Sequence, residues 1–98
     1  MIAAFSISPT AADETGSVSE AVAAAVRVVR ESGLPCETNA MFTNVEGEWD
    51  EVMGLIKACV DKVAEASPRV SLVIKIDHRP GVTGAMQHKV DAIEQHLR

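Results

Sequence analysis

Hydrophobic residues recur along this chain in two periods, one typical of β-strands and the other of α-helices. Residues 70–77 alternate clearly, with aliphatic side chains at every even position, which predicts a strand. Spacings of three and four residues instead predict three amphipathic helices. The first follows Ser17 and ends at Gly33, the second runs from about 48 to 66, and the third is short and covers 86–97.

Three further strands are predicted from short apolar runs. Residues 2–8 form a run that Pro9 stops, and residues 34–38 and 42–46 form two more. The residues 39–41 between the last two are a compact turn candidate, because asparagine at position 39 tolerates left-handed backbone geometry. The small and acidic residues of 8–16 are predicted to form a loop.

The order of these elements is strand, helix, strand, strand, helix, strand, helix. Two βαβ halves of this length predict an α+β fold, a ferredoxin-like βαββαβ sandwich with a four-stranded antiparallel sheet and an added C-terminal helix. Right-handed crossovers place both long helices on one face of that sheet. We expect residues 1–98 to form a single domain.

The second face of the predicted sheet lacks the charges expected of a surface in water. The first strand carries Ala3, Phe5 and Ile7 on one face and Ile2, Ala4, Ser6 and Ser8 on the other. An antiparallel sheet with one face in solvent is usually polar there. We therefore expect subunits to associate sheet to sheet, and a solvated face of small residues is the alternative.

Composition and charge narrow the class of protein further. Of the 98 residues, 47% are hydrophobic and 23% are charged, which excludes an intrinsically disordered chain. The formal net charge is −5 and no basic stripe is present, so nucleic acid is not an expected partner. No apolar run approaches the ~20 residues that span a bilayer, and the first residues lack the pattern of a signal peptide. We expect a cytoplasmic protein without a membrane partner.

Spacings typical of catalytic or metal sites are missing from the sequence. Cys36 and Cys59 form no CxxC pair and have no histidine close to them in sequence. His88 and His96 lie eight residues apart on one predicted helix, about 12 Å along its axis, too far for one ion to bind both directly. We therefore expect no catalytic residue, no metal ligand and no cofactor.

Polar residues gather at two opposite ends of the predicted sandwich. One end collects Ser8, Ser17, Asn39, Met41 and Thr43, where hydroxyls and a helix N-terminus can hydrogen-bond a small ligand. The other end collects Glu46, Gly47, Trp49, Asp77, His78 and Arg79, where an aromatic face and a carboxylate can hold a cation. The alternative is structural, with Ser17 as a helix cap, Asn39 in a turn and Trp49 in the core.

One long segment resembles a known protein family. It reads SGLPCETNAMFTNVEGEWDEVMGLIKAC, with MIAAFSISP before it and VSLVIKIDHRPG after it, and it is similar to the small thiamine-binding protein family over nearly the whole chain. The resemblance implies a ferredoxin-like subunit that forms a homodimer or homotetramer through its sheets. It also implies non-catalytic binding of thiamine, or of its hydroxymethylpyrimidine part, in the cytoplasm.

The resemblance also indicates ligand-binding residues, namely Met41, Thr43, Glu46 and Trp49. Ser17 and Asn39 join them because of their predicted positions. In this hypothesis Glu46 accepts a hydrogen bond from the amino group of the ligand or balances its positive ring, and Trp49 and Met41 give apolar contact. Two alternatives stay open: a structural or regulatory homo-oligomer without a physiological ligand, and an enzyme on the same fold.

Overall fold

A single antiparallel sheet of four strands, in the order β2-β3-β1-β4, organises the chain. The computed structural model describes residues 1–9 and 18–98. Its elements are β1 (Ile2–Pro9), α1 (Val18–Glu31), β2 (Cys36–Thr38), β3 (Thr43–Glu46), α2 (Trp49–Ala64), β4 (Val70–Asp77) and α3 (Ala85–Leu97). The predicted ferredoxin-like sandwich with an added C-terminal helix is confirmed.

Strand β2 is shorter than the sequence predicts, because it begins at Cys36 rather than at Leu34. Proline has no N–H to donate to a strand ladder, so pairing through position 35 is limited to its carbonyl. That carbonyl accepts a hydrogen bond of 3.0 Å from the N–H of Glu46. Leu34 packs instead against the edge of the core.

The core lies between the sheet and the two long helices. On β1, Ala3, Phe5 and Ile7 are buried, which places the alternate positions of the strand under α1 and α2. The buried residues that α2 contributes are Val52, Ile56, Cys59 and Val63. Their spacing of three and four residues is the helical stripe read from the sequence, and it explains why this segment folds as a helix here.

The first turn of α2 departs from that stripe. The residue that opens the helix, Trp49, is 44% exposed, whereas Val52 is fully buried. A hydrogen bond of 3.1 Å from the N–H of Glu48 to the carboxylate of Glu51 stabilises this end of the helix. The capping box predicted for α1 includes Ser17, which lies outside the described residues.

No helix in the described ranges lies along the second face of the sheet. This open face is formed by the residues that the strand register places on the side away from the two long helices, namely Ile2, Ala4, Ser6, Ser8, Glu37, Asn44, Glu46, Ser71, Val73, Lys75 and Asp77. Val73 is 57% exposed and Lys75 is also exposed. The face is thus apolar at Ile2, Ala4 and Val73, but the neighbouring strands also bring four charged side chains to it. It is therefore more polar than the sequence of β1 alone predicts.

Helix α3 is attached near one end of that open face. Its first residue, Ala85, is buried, but exposure rises along the helix from 49% at Val90 to 60% at Ile93 and 74% at Leu97. The helix therefore leaves the body of the protein after its first turns. None of the helices within residues 1–9 and 18–98 is long and apolar enough to cross a membrane.

Candidate functional site

A cavity of about 260 Å³ opens between α1, the later part of β1 and the turn that joins β2 to β3. We call it the hairpin cavity. Helix α1 contributes Val22, Ala25 and Val26 to its lining, and the sheet and turn contribute Phe5, Ser6, Ile7, Ser8 and residues 38–43. Every one of these lining residues is uncharged at neutral pH, so the described part of the cavity suits a neutral, ring-sized ligand.

A pair of threonine hydroxyls lies in the lining of the hairpin cavity. Thr38 and Thr43 are directly paired across β2 and β3, and their Oγ1 atoms are 3.0 Å apart. Thr43 is only 6% exposed, and it pairs with Phe5 of β1, which places it on the helix-covered face. Because one hydroxyl donates to the other, the hydrogen of the accepting hydroxyl remains available for a ligand.

The turn at the rim of the cavity is built by Asn39. Its Oδ1 atom accepts hydrogen bonds of 2.9 Å from the backbone N–H groups of Met41 and Phe42, and its own N–H donates to the carbonyl of Phe42 at 2.9 Å. The structural role expected for asparagine is therefore present. It leaves the side-chain NH₂ group, which has two hydrogens to donate, without a protein partner among the described residues.

Met41 forms the outer edge of the same turn. It is 72% exposed although it is one of the larger apolar side chains of the protein. A flexible thioether adapts its shape to a flat ring more easily than a branched side chain does. The cavity thus combines an apolar wall from α1 and Met41 with polar groups from Thr38, Thr43 and Asn39.

At the opposite end of β3, the carboxylate of Glu46 is engaged with α3. It accepts hydrogen bonds from the N–H of Ala85 at 2.8 Å and from the N–H of Met86 at 3.5 Å. These are orphan donors at a helix N-terminus, where a negative charge also interacts favourably with the helix dipole. Glu46 is 6% exposed and fills the role of an N-terminal cap supplied by another element.

Trp49 also lies at this second end. Its ring meets the ring of His78 edge to face, with centroids 5.2 Å apart and an angle of 73° between the planes. Asp77 and Lys89 form an ion pair of 2.6 Å close by, and the hydrogen bond from Lys89 lowers the pKa of the Asp77 carboxyl. Trp49 and His78 thus contact each other, whereas Glu46 and Asp77 are each engaged by residues of α3.

The structure brings three of the six expected binding residues to one place. Asn39, Met41 and Thr43 line the hairpin cavity, whereas Glu46 and Trp49 lie at the other end of the sheet. Ser17 is outside the described residues. Sequence reasoning missed Thr38, although a short turn after it places its side chain on the same face as Thr43.

The two cysteines differ in their surroundings. Cys36 is exposed on β2, and Cys59 is buried in α2 with its Sγ donating a hydrogen bond to the carbonyl of Ala25 at 3.5 Å. Burial raises the pKa of the Cys59 thiol to about 11, which keeps it protonated and unreactive at neutral pH. Within residues 1–9 and 18–98, no three side chains of the metal-ligating types come together.

The described residues form a small ferredoxin-like protein with an uncharged cavity beside its β2–β3 turn. The sequence profile of the thiamine-binding protein family matches residues 3–94, and the chain belongs to this family. It is 51% identical over 98 residues to the UPF0045 protein of Mycobacterium bovis, an alignment that covers 99% of this chain and 94% of the relative. The resemblance read from the sequence is confirmed.

Solved structures agree on the fold. A hypothetical protein of Methanocaldococcus jannaschii superposes with a TM-score of 0.83 at 34% identity, covering 95% of this chain and 94% of the other. A protein of Thermotoga maritima, described as a candidate thiamine biosynthesis or salvage protein, superposes with a TM-score of 0.76 and covers 92% and 96% of the two chains. At 23% identity, that last match shows the shared fold alone.

Proposed function

We propose that this protein binds thiamine, or a pyrimidine related to it, in the hairpin cavity without catalysing a reaction on it. The observation that carries this proposal is the lining of the cavity: a hydroxyl pair and an uncommitted amide beside an aliphatic wall, in a member of a family named for thiamine binding. A mostly apolar pocket with a small number of convergent polar groups is typical of small-molecule binding sites.

The cavity favours the aminopyrimidine half of thiamine. That ring is neutral, and its nitrogens can accept hydrogen bonds from the free hydroxyl hydrogen of the threonine pair and from the NH₂ group of Asn39. Its amino group can in turn donate to a threonine hydroxyl oxygen. The cationic thiazolium ring then extends past Met41 toward solvent. An acidic protein with a net charge of −5 attracts such a cation at long range.

Two of the expected binding residues are too far along the sheet to join this ligand within one chain. Glu46 caps α3 and Trp49 packs on His78, both at the end of the sheet opposite the hairpin cavity. In our proposal they reach a ligand only where another subunit brings that end beside the cavity. Ser17, which precedes α1, remains a predicted hydrogen-bonding residue for the same ligand.

We further propose that the protein works in the cytoplasm as a homodimer or homotetramer. The open face supports association between subunits, because Val73 is 57% exposed there beside the small side chains of Ala4 and Ser6. Exposed apolar surface of this kind is typical of interaction sites. The same face also favours the alternative function, a structural or regulatory homo-oligomer that needs no small ligand.

Thermal unfolding with a series of ligand fragments tests the binding proposal. Thiamine and hydroxymethylpyrimidine should both stabilise the protein, by about 2.7 kcal/mol at 100 times Kd, and the isolated thiazole alcohol should not. We expect micromolar affinity, about −8 kcal/mol, because only two or three hydrogen bonds are available. A midpoint that does not move with any of the three compounds at millimolar concentration contradicts the proposal and favours the alternative without a ligand.

A further inference from the structure

A groove along one side of α1 continues from the hairpin cavity. It has a volume of about 610 Å³, and it shares Val22 and Val26 with the lining of the cavity. The two basic residues of α1, Arg27 and Arg30, both lie in the lining of this groove. A ligand that extends from the cavity along α1 therefore meets two guanidinium groups.

The spacing of the two arginines places them side by side on the helix. Arg30 follows Arg27 by three residues and Val26 by four, so all three lie on one side of α1. The Cα–Cβ bonds of a helix tilt toward its N-terminus, which is the direction of Val22 and the cavity. Both arginine side chains can thus approach one anion at the point where the groove meets the cavity.

The groove is positively charged although the protein is acidic. Arg27 and Arg30 are exposed, and the ion pairs found within the described part of the chain include neither of them. Glu31 also lines the groove, and it belongs to none of those ion pairs either. Two cations and one carboxylate leave the described lining with a net positive charge, whereas the whole chain has a net charge of −5.

We propose that this groove binds the phosphoryl group of a phosphate ester of thiamine, with Arg27 and Arg30 as the residues that hold it. The inference rests on the proposed function, since the pyrimidine ring occupies the hairpin cavity. The planar guanidinium group of arginine matches the geometry of phosphate oxygens and donates two parallel hydrogen bonds to them. The hairpin cavity itself has no charged lining residue among those described, so it offers no counter-charge to such a group.

The length of the groove fits such an ester. In thiamine, the hydroxyl group that carries the phosphate is attached to the thiazolium ring, at the end remote from the pyrimidine. The groove runs from Val22, which also lines the cavity, to Arg30, eight residues later and about 12 Å along the helix axis. The thiazolium ring and its hydroxyl arm bridge this interval, so the phosphoryl group lies at the arginines when the pyrimidine lies in the cavity.

Titration calorimetry that compares thiamine with thiamine monophosphate tests the groove separately from the cavity. The unmodified protein should bind the monophosphate about tenfold more tightly than thiamine, because only the ester makes charge-assisted hydrogen bonds to the arginines. Equal or weaker binding of the monophosphate, in a protein that binds thiamine, overturns this inference and leaves the proposed function intact. Failure of both compounds to bind overturns the inference and the proposed function together.

Charge-removing variants assign the preference for the ester to particular residues. Arg27→Gln and Arg30→Gln should each remove most of the tenfold preference without weakening the binding of thiamine, whose cationic ring gains nothing from these side chains. Glu31→Gln should increase the preference by about threefold, because it removes a carboxylate that repels the phosphoryl group. The control Lys57→Gln removes one positive charge from the exposed surface of α2 and should leave the preference unchanged.

These substitutions are at exposed positions, so the variants should fold and unfold like the unmodified protein. A preference for the monophosphate that persists in the double variant Arg27→Gln/Arg30→Gln overturns the proposal. Loss of the preference in Lys57→Gln to the same extent as in the arginine variants also overturns it, since the effect is then one of net charge and not of the groove.

Discussion

The carboxylate of Glu46 accepts a hydrogen bond of 2.8 Å from the N–H of Ala85, although 39 residues separate the two in sequence. This contact joins the end of β3 to the start of α3 and fixes where the last helix leaves the sheet. Because the bond between Ala85 and Glu46 is buried, water cannot readily replace either group as a partner of the other. The residue is thus a structural cap in the folded chain.

Removal of this cap should destabilise the protein and loosen α3. We expect Glu46→Ala to lower the free energy of unfolding by about 1–3 kcal/mol, since buried donors lose their acceptor. Urea unfolding measures the loss, and hydrogen exchange of the Ala85 and Met86 amides locates it. The control Glu37→Ala, on an exposed position of β2, should change stability by no more than ~0.5 kcal/mol. Unchanged protection of both amides in the Glu46 variant would show that the cap does not hold the helix.

The ion pair between Asp77 and Lys89 predicts that α3 loosens at acidic pH. The hydrogen bond from Lys89 lowers the pKa of Asp77 in the folded protein. The ion pair therefore contributes its full stabilisation above the unfolded pKa of about 3.9. This stabilisation is lost as the pH falls through the lower pKa that Asp77 has in the folded protein. The protection factors of the α3 amides, which compare the observed exchange with intrinsic exchange at the same pH, should therefore fall between pH 5 and pH 2. The Asp77→Asn variant should lack most of that pH dependence, and identical profiles for the two proteins contradict the prediction.

Because the Trp49 side chain is half exposed, its removal should lower the free energy of unfolding only modestly. We expect Trp49→Ala to lower the free energy of unfolding by about 1–2 kcal/mol, less than the ~3–5 kcal/mol typical of a core tryptophan. Ile56→Ala, at a position 2% exposed on the same helix, should cost about 2–5 kcal/mol. Denaturant unfolding of both variants checks the order. A Trp49 variant that is the less stable of the two would place the tryptophan in the core after all.

Much of the architecture follows from local pattern. The alternation at 70–77 predicts β4 at its observed bounds, and the stripe of α2 predicts which residues it buries. The hairpin is predictable for the same reason, because a turn at Asn39 places Met41 and Thr43 at one end of the sheet. The engagement of Glu46 is not predictable in this way, since it depends on how residues 78–84 return α3 to the sheet.

The exposure of Trp49 is a second feature that the hydrophobic periodicity of the sequence does not predict. The helical stripe correctly places this residue in line with Val52 and Ile56. The stripe begins one turn before the helix reaches the sheet, however, so the first member meets His78 rather than the core. The hydrophobic periodicity predicts which face of the helix a side chain is on, but the residues that it contacts there depend on the tertiary structure.

The two cysteines should react at very different rates with a thiol reagent. Cys36 is exposed, whereas burial raises the pKa of Cys59 to about 11. At pH 8 we expect one thiol to react within the mixing time and the second to react only as fast as the protein opens. Because the folded pKa of Cys59 is raised, its contribution to stability is present below the unfolded pKa and is lost as the pH rises through about 11. Equal labelling rates in the Cys36→Ser and Cys59→Ser variants contradict this account.

Titration calorimetry of hydroxymethylpyrimidine into the Thr43→Val variant tests the central claim most directly. Valine keeps the shape of threonine and removes the hydroxyl that pairs with Thr38 in the hairpin cavity. The account predicts micromolar binding by the unmodified protein, about tenfold weaker binding by Thr43→Val, and unchanged binding by the control Thr83→Val in the loop before α3. Equal affinity of all three proteins would contradict it.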